Sequence, residues 1–330
     1  MKIAVFSTQS YDKEYLDKFK EDLNLTYFEA SLNTSTVSLT KGYDVVCAFV
    51  NDKLDKETID TLAKNGVKAI AMRCAGYNNV DLTAAADNNI TVMHVPVYSP
   101  HAIAEHAVAL ILTLNRKTHK AYNRVREGNF SLQNLTGFDL YNKTVGVIGT
   151  GEIGAIFCKI MLGFGCKVLA FDMVESAELK SAGVQFESME NILKQSDIIS
   201  LHCPLTPKTF HLFDEEAFAK MKKGAMLINT SRGGVIDTSA VIEALKNRTL
   251  GYLGIDVYEQ EDKLFFHDLS ESVIQDDQIQ RLISFPNVLI TSHQGFFTKE
   301  ALDQIAITTL KNITNFASGN TIENEVKLNK

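Results

Sequence analysis

Short, almost wholly apolar runs recur along the chain, and between them apolar residues return every three or four positions. The first half carries KIAVF, DVVCAFV, VKAIAM and ITVMHV, separated by charged stretches such as YDKEYLDKFKEDL and KETIDTLAKNG. The second half carries TVGVIG, KVLAFD, DIISLHC, AMLINTS, LGIDVY and VLITSH. Runs this short and uniformly apolar predict strands buried on both faces. The amphipathic stretches predict helices that cover a parallel sheet. Such alternation indicates the α/β class, with doubly wound parallel sheets. No low-complexity linker or short-period repeat interrupts it. The pattern breaks near residue 100, where VPVYSPHAIAEHAVALILTLNRKTHKAY has two prolines and then a long apolar helix from about Ala102. This predicts a domain boundary, with the helix joining two domains or forming a subunit interface. The last helix, from Thr298 to about Phe316, could belong to either domain.

Length agrees with that division: 330 residues make two domains at roughly 150 residues each. A net charge of -7 gives no electrostatic support for binding nucleic acid or an anionic membrane. The five cysteines, Cys47, Cys74, Cys158, Cys166 and Cys203, are odd in number, form no C-x-x-C pair and mostly lie in apolar runs. That argues against a disulfide framework or a zinc site and for a reducing, cytoplasmic setting. MKIAVFST is too short an apolar stretch for a signal peptide. HAVALILTL (His106 to Leu114) falls far below the ~20 residues needed to span a membrane.

The strongest local motif follows TVGVIG. Gly149-Thr150-Gly151-Glu152-Ile153-Gly154 is G-x-G-x-x-G between a predicted strand and the helical run AIFCKIMLGFG. Gly149 allows the tight turn, Gly151 lets backbone approach a pyrophosphate, and Gly154 lets helix and strand pack closely. The phosphates then meet the free N–H groups and dipole at the helix start. The next strand, KVLAFD, ends at Asp172, 18 positions after Gly154, close to the spacing of about 20 for a ribose-binding acid. A carboxylate there accepts from ribose hydroxyls and repels a 2′-phosphate, and no arginine follows it directly, which favours NAD over NADP.

Ligands of open parallel sheets bind beyond the carboxyl ends of the strands. Three such ends carry reactive groups. AMLINTSRGG reaches Arg232, LGIDVYEQE passes Asp256 and reaches Glu261, and VLITSH ends at His293. Hydride exchange between a nicotinamide and a 2-hydroxy acid requires this set. An arginine fork binds the substrate carboxylate. A histidine takes the hydroxyl proton, and a neighbouring carboxylate orients the ring and favours its charged form. Taken singly, Arg232 could serve a cofactor phosphate, Glu261 a solvated face and His293 a sheet edge; together, downstream of a nucleotide loop, they read as catalytic. His101, Glu105 and His106 do not make a metal helix, because two histidines five apart lie about 140° apart around the axis. His202 and Cys203 follow DIISL and fall near the nucleotide rather than forming a nucleophile pair, and no G-x-S-x-G elbow supports a hydrolase.

With RCAGYNNVDL, VPVYSPHAIAEHAVALILTLNR, NFSLQNLTGFDLYNKTVGVIGTGEIG, SLHCPLT, NTSRGGVID, IDVYEQE and TSHQGFFT, the chain resembles the D-isomer-specific 2-hydroxyacid dehydrogenases over nearly its whole length. The likeness is strongest to their fermentative D-lactate branch. It implies a Rossmann NAD domain at 101–296 and a flavodoxin-like substrate domain from 1–100 with 297–330, with the active-site cleft between them. The family's catalytic set falls on Arg232, Glu261 and His293. Its nucleotide contacts fall on Glu152, Ile153, Asp172, Cys203, Pro204, Thr209, Thr230, Ser231 and Asp256. Its substrate contacts fall on Ala75, Gly76 and Arg232 for the carboxylate, with Tyr98 and Phe296 bordering the side chain. The activity implied is reversible, NAD-dependent reduction of pyruvate to D-lactate by a homodimer or homotetramer. A bulkier 2-oxo acid, or an NAD-sensing binding protein without activity, are the alternatives. Gly295 and Gly234 depart from the family, which commonly has alanine at both places. The acidic segment DKLFFHDLSESVIQDD (262–277) has a counterpart in the fermentative relatives, with no role legible in its residues beyond a surface excursion near Glu261.

Overall fold

The computed structural model describes residues 1–261 and 264–327. The chain forms two compact units, Met1–Ser99 with Phe297–Lys330, and Pro100–Phe296.

The first unit is built on β1 (Lys2–Val5), β2 (Asn24–Tyr27), β3 (Val45–Ala48), β4 (Ala69–Met72) and β5 (Thr91–Met93). They form one sheet in the order β2-β1-β3-β4-β5, with every pairing parallel. β3 and β4 are buried at every position, as uniformly apolar runs predict. β2 had no clear signature, because NLTY is a half-exposed edge strand with only two apolar side chains. The helices are punctuated by side-chain caps: Asp55 accepts from Thr58 N, Asp81 from Ala84 N, and Thr298 from Ala301 N. The last helix, Lys299–Ala317, buries Ala306, Leu310 and Ile313 in the core of this unit, against Ile3, Val45 and Ala69.

The ends of β1, β3 and β4 are tied by buried charge. Arg73 is 2% exposed; its Nε donates to Asp12 Oδ1 at 3.0 Å, its Nη2 donates to Ser7 O at 2.6 Å, and its guanidinium lies 4.8 Å from the Phe49 ring centre. Asp52 accepts from Ser7 Oγ, Leu32 N and Phe49 N, each at 2.6 Å. Removing one member of such a pair strands the other charge, a cost of about 3–5 kcal/mol. The Cys74–Gly76 loop continues directly from this anchored arginine.

The second unit holds β6 (Thr144–Ile148), β7 (Lys167–Phe171), β8 (Gln185–Phe186), β9 (Ile198–Leu201), β10 (Ala225–Asn229), β11 (Leu250–Ile255) and β12 (Val288–Ile290). Their order is β12-β11-β10-β9-β6-β7-β8, again wholly parallel. β8, two residues at a sheet edge, is too short to show a pattern. β11 begins three residues before the run LGIDVY and stops short of Asp256. The chain leaves β6 toward β7 on one side and returns to β9 on the other, so the loops after β6 and β9 diverge there. Divergence of that kind opens a crevice for a ligand.

The helix Pro100–Arg116 opens the second unit. It buries Ala104, Ala107, Leu110, Ile111 and Leu114 within its own unit, against Phe157, Met161, Met226 and Ile228. Its apolar face is therefore occupied without a second subunit. All five cysteines are buried free thiols. Among the described residues, no helix is long and apolar enough to cross a membrane, and no group of three or more His, Cys, Asp and Glu side chains is arranged to hold a metal ion.

Candidate active site

The turn after β6 has a shape that requires glycine at two of its three glycine positions. Gly149 adopts φ +91°, and a Cβ on it would lie 2.8 Å from the backbone of His202 and Cys203. A Cβ on Gly154 would lie 2.0 Å from Gly149 O, so only glycine lets the helix Glu152–Gly163 start this close to the strand. A Cβ on Gly151, the N-cap, would meet nothing within 4 Å. The helix start is thus an open cradle of backbone N–H groups, which suits a pyrophosphate. Across it, Asp172 accepts from Thr150 N at 2.5 Å, Thr150 Oγ1 at 3.0 Å and Val174 N at 3.3 Å. Burial alone would raise the Asp172 carboxyl, but these donors hold it below the usual carboxylate range, so it is an anion. Thr230 Oγ1 is buried with no hydrogen-bond partner among the described residues. An orphaned polar atom at this sheet edge is what a bound nucleotide would satisfy. The chain therefore fits NAD.

The other predicted nucleotide residues divide. Thr209 closes its own loop, donating from Oγ1 to Pro204 O at 2.6 Å and accepting from Thr206 N at 2.8 Å. The Cys203 thiol is buried, and burial pushes it up, so it is not a nucleophile. His202 sets Nε2 2.9 Å from Ser200 Oγ, and burial pushes its imidazole down to about 3. It is neutral and structural.

β10, β11 and β12 are neighbours in the sheet and run the same way, so their carboxyl ends share one edge. At ~4.8 Å per strand, the outer two are about 10 Å apart. After β10, the buried Asn229 shapes the turn: its Oδ1 accepts from Ser231 N at 3.0 Å and Ser231 Oγ at 2.8 Å, and its Nδ2 donates to Arg232 O at 2.9 Å. Arg232 Nη1 donates to Ser231 O at 2.7 Å. The next residue, Gly233, is pressed onto the segment after β11; a Cβ there would lie 2.1 Å from Tyr258 C and 2.4 Å from Glu259 N. The arginine turn and the glutamate segment are thus in direct backbone contact. Glu261 follows, accepting from Tyr258 N on Oε2 at 2.8 Å and facing His293 Nδ1 with Oε1 at 2.9 Å. A carboxylate partner requires hydrogen on Nδ1 and leaves Nε2 for chemistry. The Phe266 ring lies 6.0 Å from the imidazole. His293 stands three residues past the end of β12, at φ +52°, a left-handed conformation that costs a side-chain-bearing residue about 1–2 kcal/mol.

Asp256, expected as a nucleotide contact, also braces a turn. Its carboxylate is committed to the turn that carries His293, accepting from Thr291 Oγ1 at 2.5 Å, Gln294 N at 2.8 Å and Gly295 N at 2.7 Å. His106 Nε2 lies 3.3 Å away. Burial would raise this carboxyl, but His106, Thr291 and Gln294 hold it below the usual range. A Cβ on Gly295 would lie 3.0 Å from Asp256 Oδ2 and 3.6 Å from the His106 ring, so the departure from alanine bears on this cluster. A Cβ on Gly234 would find Leu205 at 3.3 Å, close to ordinary contact. His101 is exposed and takes no part. Phe296 is buried; in the first unit, the Ala75 carbonyl accepts from His94 Nδ1 at 2.9 Å and the Gly76 carbonyl accepts from the Cys74 thiol at 3.2 Å.

Sequence reasoning missed Asn229, Tyr258, Thr291 and His106 as builders of this edge. A signal existed for Asn229, a polar residue closing a fully apolar strand. None existed for Thr291 and His106, whose partners lie on separate elements, or for Tyr258, which holds Glu261 by its backbone N–H. Of the acidic segment, Asp262 and Lys263 lie outside the described residues. Asp276 caps the helix Asp277–Ser284 and accepts from Tyr258 Oη at 2.8 Å.

The cradle and the sheet order are those of a dinucleotide-binding dehydrogenase. Residues 108–295, over half the chain, match the profile of the D-isomer specific 2-hydroxyacid dehydrogenase, NAD binding domain. A 2-hydroxyacid dehydrogenase homolog of Schizosaccharomyces pombe is 54% identical over 323 residues, 97% of each chain. D-lactate dehydrogenase of Escherichia coli is 51% identical over 328 residues, covering 99% of this chain and 100% of its own length. The solved apo-structure of D-lactate dehydrogenase from Escherichia coli matches with a TM-score of 0.91 at 48% identity, over 99% of this chain and 100% of that one. The chain belongs to the D-isomer-specific 2-hydroxyacid dehydrogenases and carries their NAD-binding domain.

Proposed function

We propose that the chain is an NAD-dependent D-lactate dehydrogenase that reduces pyruvate reversibly, with His293 as its acid and base. The observation that carries this is the His293–Glu261 contact of 2.9 Å on Nδ1, one sheet edge from an NAD-binding cradle. When bound, the reduced nicotinamide supplies the hydride that reaches the keto carbon. His293 gives its Nε2 proton to the carbonyl oxygen and recovers it in the reverse direction. Glu261 holds the ring by Nδ1 and stabilises the charged imidazole, while Tyr258 N holds Glu261 in turn. Arg232 binds the carboxylate and polarises the carbonyl. Ala75 and Gly76 are the further carboxylate contacts we infer, with Tyr98 and Phe296 against the methyl side of the substrate. Within the nucleotide site we assign phosphate contacts to Gly151, Glu152 and Ile153, the ribose to Asp172, and lining to Cys203, Pro204, Thr209, Thr230 and Ser231.

The space at Gly295 faces Asp256 and His106 and so lends no support to a bulkier substrate. We place the enzyme in the cytoplasm on its five free, buried thiols. We infer a homo-oligomer, dimer or tetramer. The helix Thr118–Arg126 buries none of its residues, and Tyr122, Val125, Phe130, Leu132 and Tyr141 on and after it are 50–81% exposed, a surface suited to a second copy. NADH oxidation with pyruvate, 2-oxobutyrate, phenylpyruvate and 2-oxoisocaproate tests the activity. The expected result is the highest kcat/KM with pyruvate and D-lactate as product; no turnover of any of the four would overturn it.

A further inference from the structure

Behind the turn that carries His293 lies a polar cluster built around Asp256. His106 enters it from the helix Pro100–Arg116, with its Nε2 3.1 Å from Thr291 Oγ1 and 3.3 Å from Asp256 Oδ1. The Thr291 hydroxyl spends its one hydrogen on Asp256 Oδ1 at 2.5 Å. Both neighbours of Nε2 are therefore acceptors, so Nε2 carries hydrogen and donates. The Asp256 carboxylate is 3% exposed and is shared by the Gln294 and Gly295 N–H groups, while its backbone carbonyl accepts from His293 N at 2.8 Å. These bonds encircle residues 291–295, the segment that keeps His293 at φ +52°. A strained residue persists only where its surroundings over-determine it. His106 is the one side chain in the ring contributed from outside the β11 and β12 ends.

The Gly295 geometry adds a second, independent constraint. The His106 ring and Asp256 Oδ2 occupy the space toward which a Cβ at 295 would point. Ring and glycine fit each other, and the turn is packed against His106 as well as bonded to it.

We propose that His106 is a positioning residue for His293, fixing the catalytic turn through Asp256 and Thr291 without touching substrate or cofactor. This rests on the reading of His293 as proton donor. A small displacement of a proton donor costs far more in rate than in binding, since about 1 Å of misplacement can cost ~100-fold.

His106→Leu keeps bulk and removes the donor. The kcat for pyruvate reduction should fall about 10–100-fold, while the NADH dissociation constant, read by fluorescence titration, moves less than about threefold. His106→Gln, which can still donate, should restore kcat to within about fivefold of the original. A role confined to folding would lower Tm and leave the kcat of both variants, per folded molecule, within about threefold of the original, which would overturn the proposal. His293→Gln is assayed beside them. If it stays within about threefold of the original kcat, the reading of His293 fails. If it loses activity while His106→Leu stays within about threefold, positioning by His106 fails and the reading of His293 stands. Should His106→Leu not fold, His106→Asn replaces it, being polar but too short to reach Asp256. Loss of about tenfold or more then supports the proposal, and a kcat within about threefold overturns it.

Discussion

Two turns of one parallel sheet each place a histidine just beyond a strand. His202 follows β9 directly, with a serine hydroxyl at 2.9 Å and the Phe157 ring 4.9 Å away. His293 follows β12 by three residues, with a carboxylate at 2.9 Å and a fifth of its side chain exposed. The first is half-buried and neutral at any ordinary pH, its imidazole pushed down to about 3 by burial. The second has a carboxylate on Nδ1, and among the described residues no hydrogen bond engages its Nε2. Location at a ligand-binding sheet edge is therefore not sufficient for acid–base work. The partner on the far nitrogen and access to the near one decide it.

Exchanging the partners' chemistry is the sharpest way to break this contrast. His293→Gln should lose about 10²–10⁴-fold in kcat with NADH binding retained, as steady-state and titration measurements would show. Glu261→Gln keeps an acceptor but removes the charge, and should lose about 10–100-fold in kcat, with a smaller change in KM for pyruvate. An unchanged kcat would mean that the carboxylate does no more than the serine does for His202.

The smallest effect belongs to His202 and concerns stability. Its folded-state pKa lies below that of the unfolded chain, so the unfolded state binds more protons over the interval. The stability it confers is fully present above the unfolded value of ~6.5 and is lost as pH falls toward the folded value. Between pH 7 and pH 5 this amounts to about 2 kcal/mol. Urea denaturation at the two pH values should show that His202→Asn loses this part of the pH dependence while kcat changes less than about threefold. Equal slopes for both proteins would show that the ring is not held neutral.

The contrast also explains what the sequence could reveal. Short apolar runs marked ten of the twelve strands, the edge strands β5 and β12 included; of the other two edges, β2 has only two apolar residues and β8 is two residues long. The phosphate loop was legible because Gly149 and Gly154 answer local backbone geometry and Gly151 leaves the helix start open. His293, Glu261 and Arg232 could be listed from strand ends, but the pairing of two of them across 32 residues depends on strand order. Asp256 and His106 were opaque for a related reason. Their partners lie 35 to 39 and 185 residues away, on turns whose approach no periodicity encodes.

Asp276 holds the Tyr258 hydroxyl while capping the helix that follows it. The outer part of the excursion, residues 267–275, is therefore pinned at its return by one clasp, while Phe265 and Phe266 at its start pack against the core and the His293 ring. Doubling the length of such a loop costs only ~0.6 kcal/mol of closure entropy. This is the place in the second unit where a lineage can lengthen, shorten or recharge its surface without moving Glu261, and where an engineered insertion has the best prospect of leaving turnover intact.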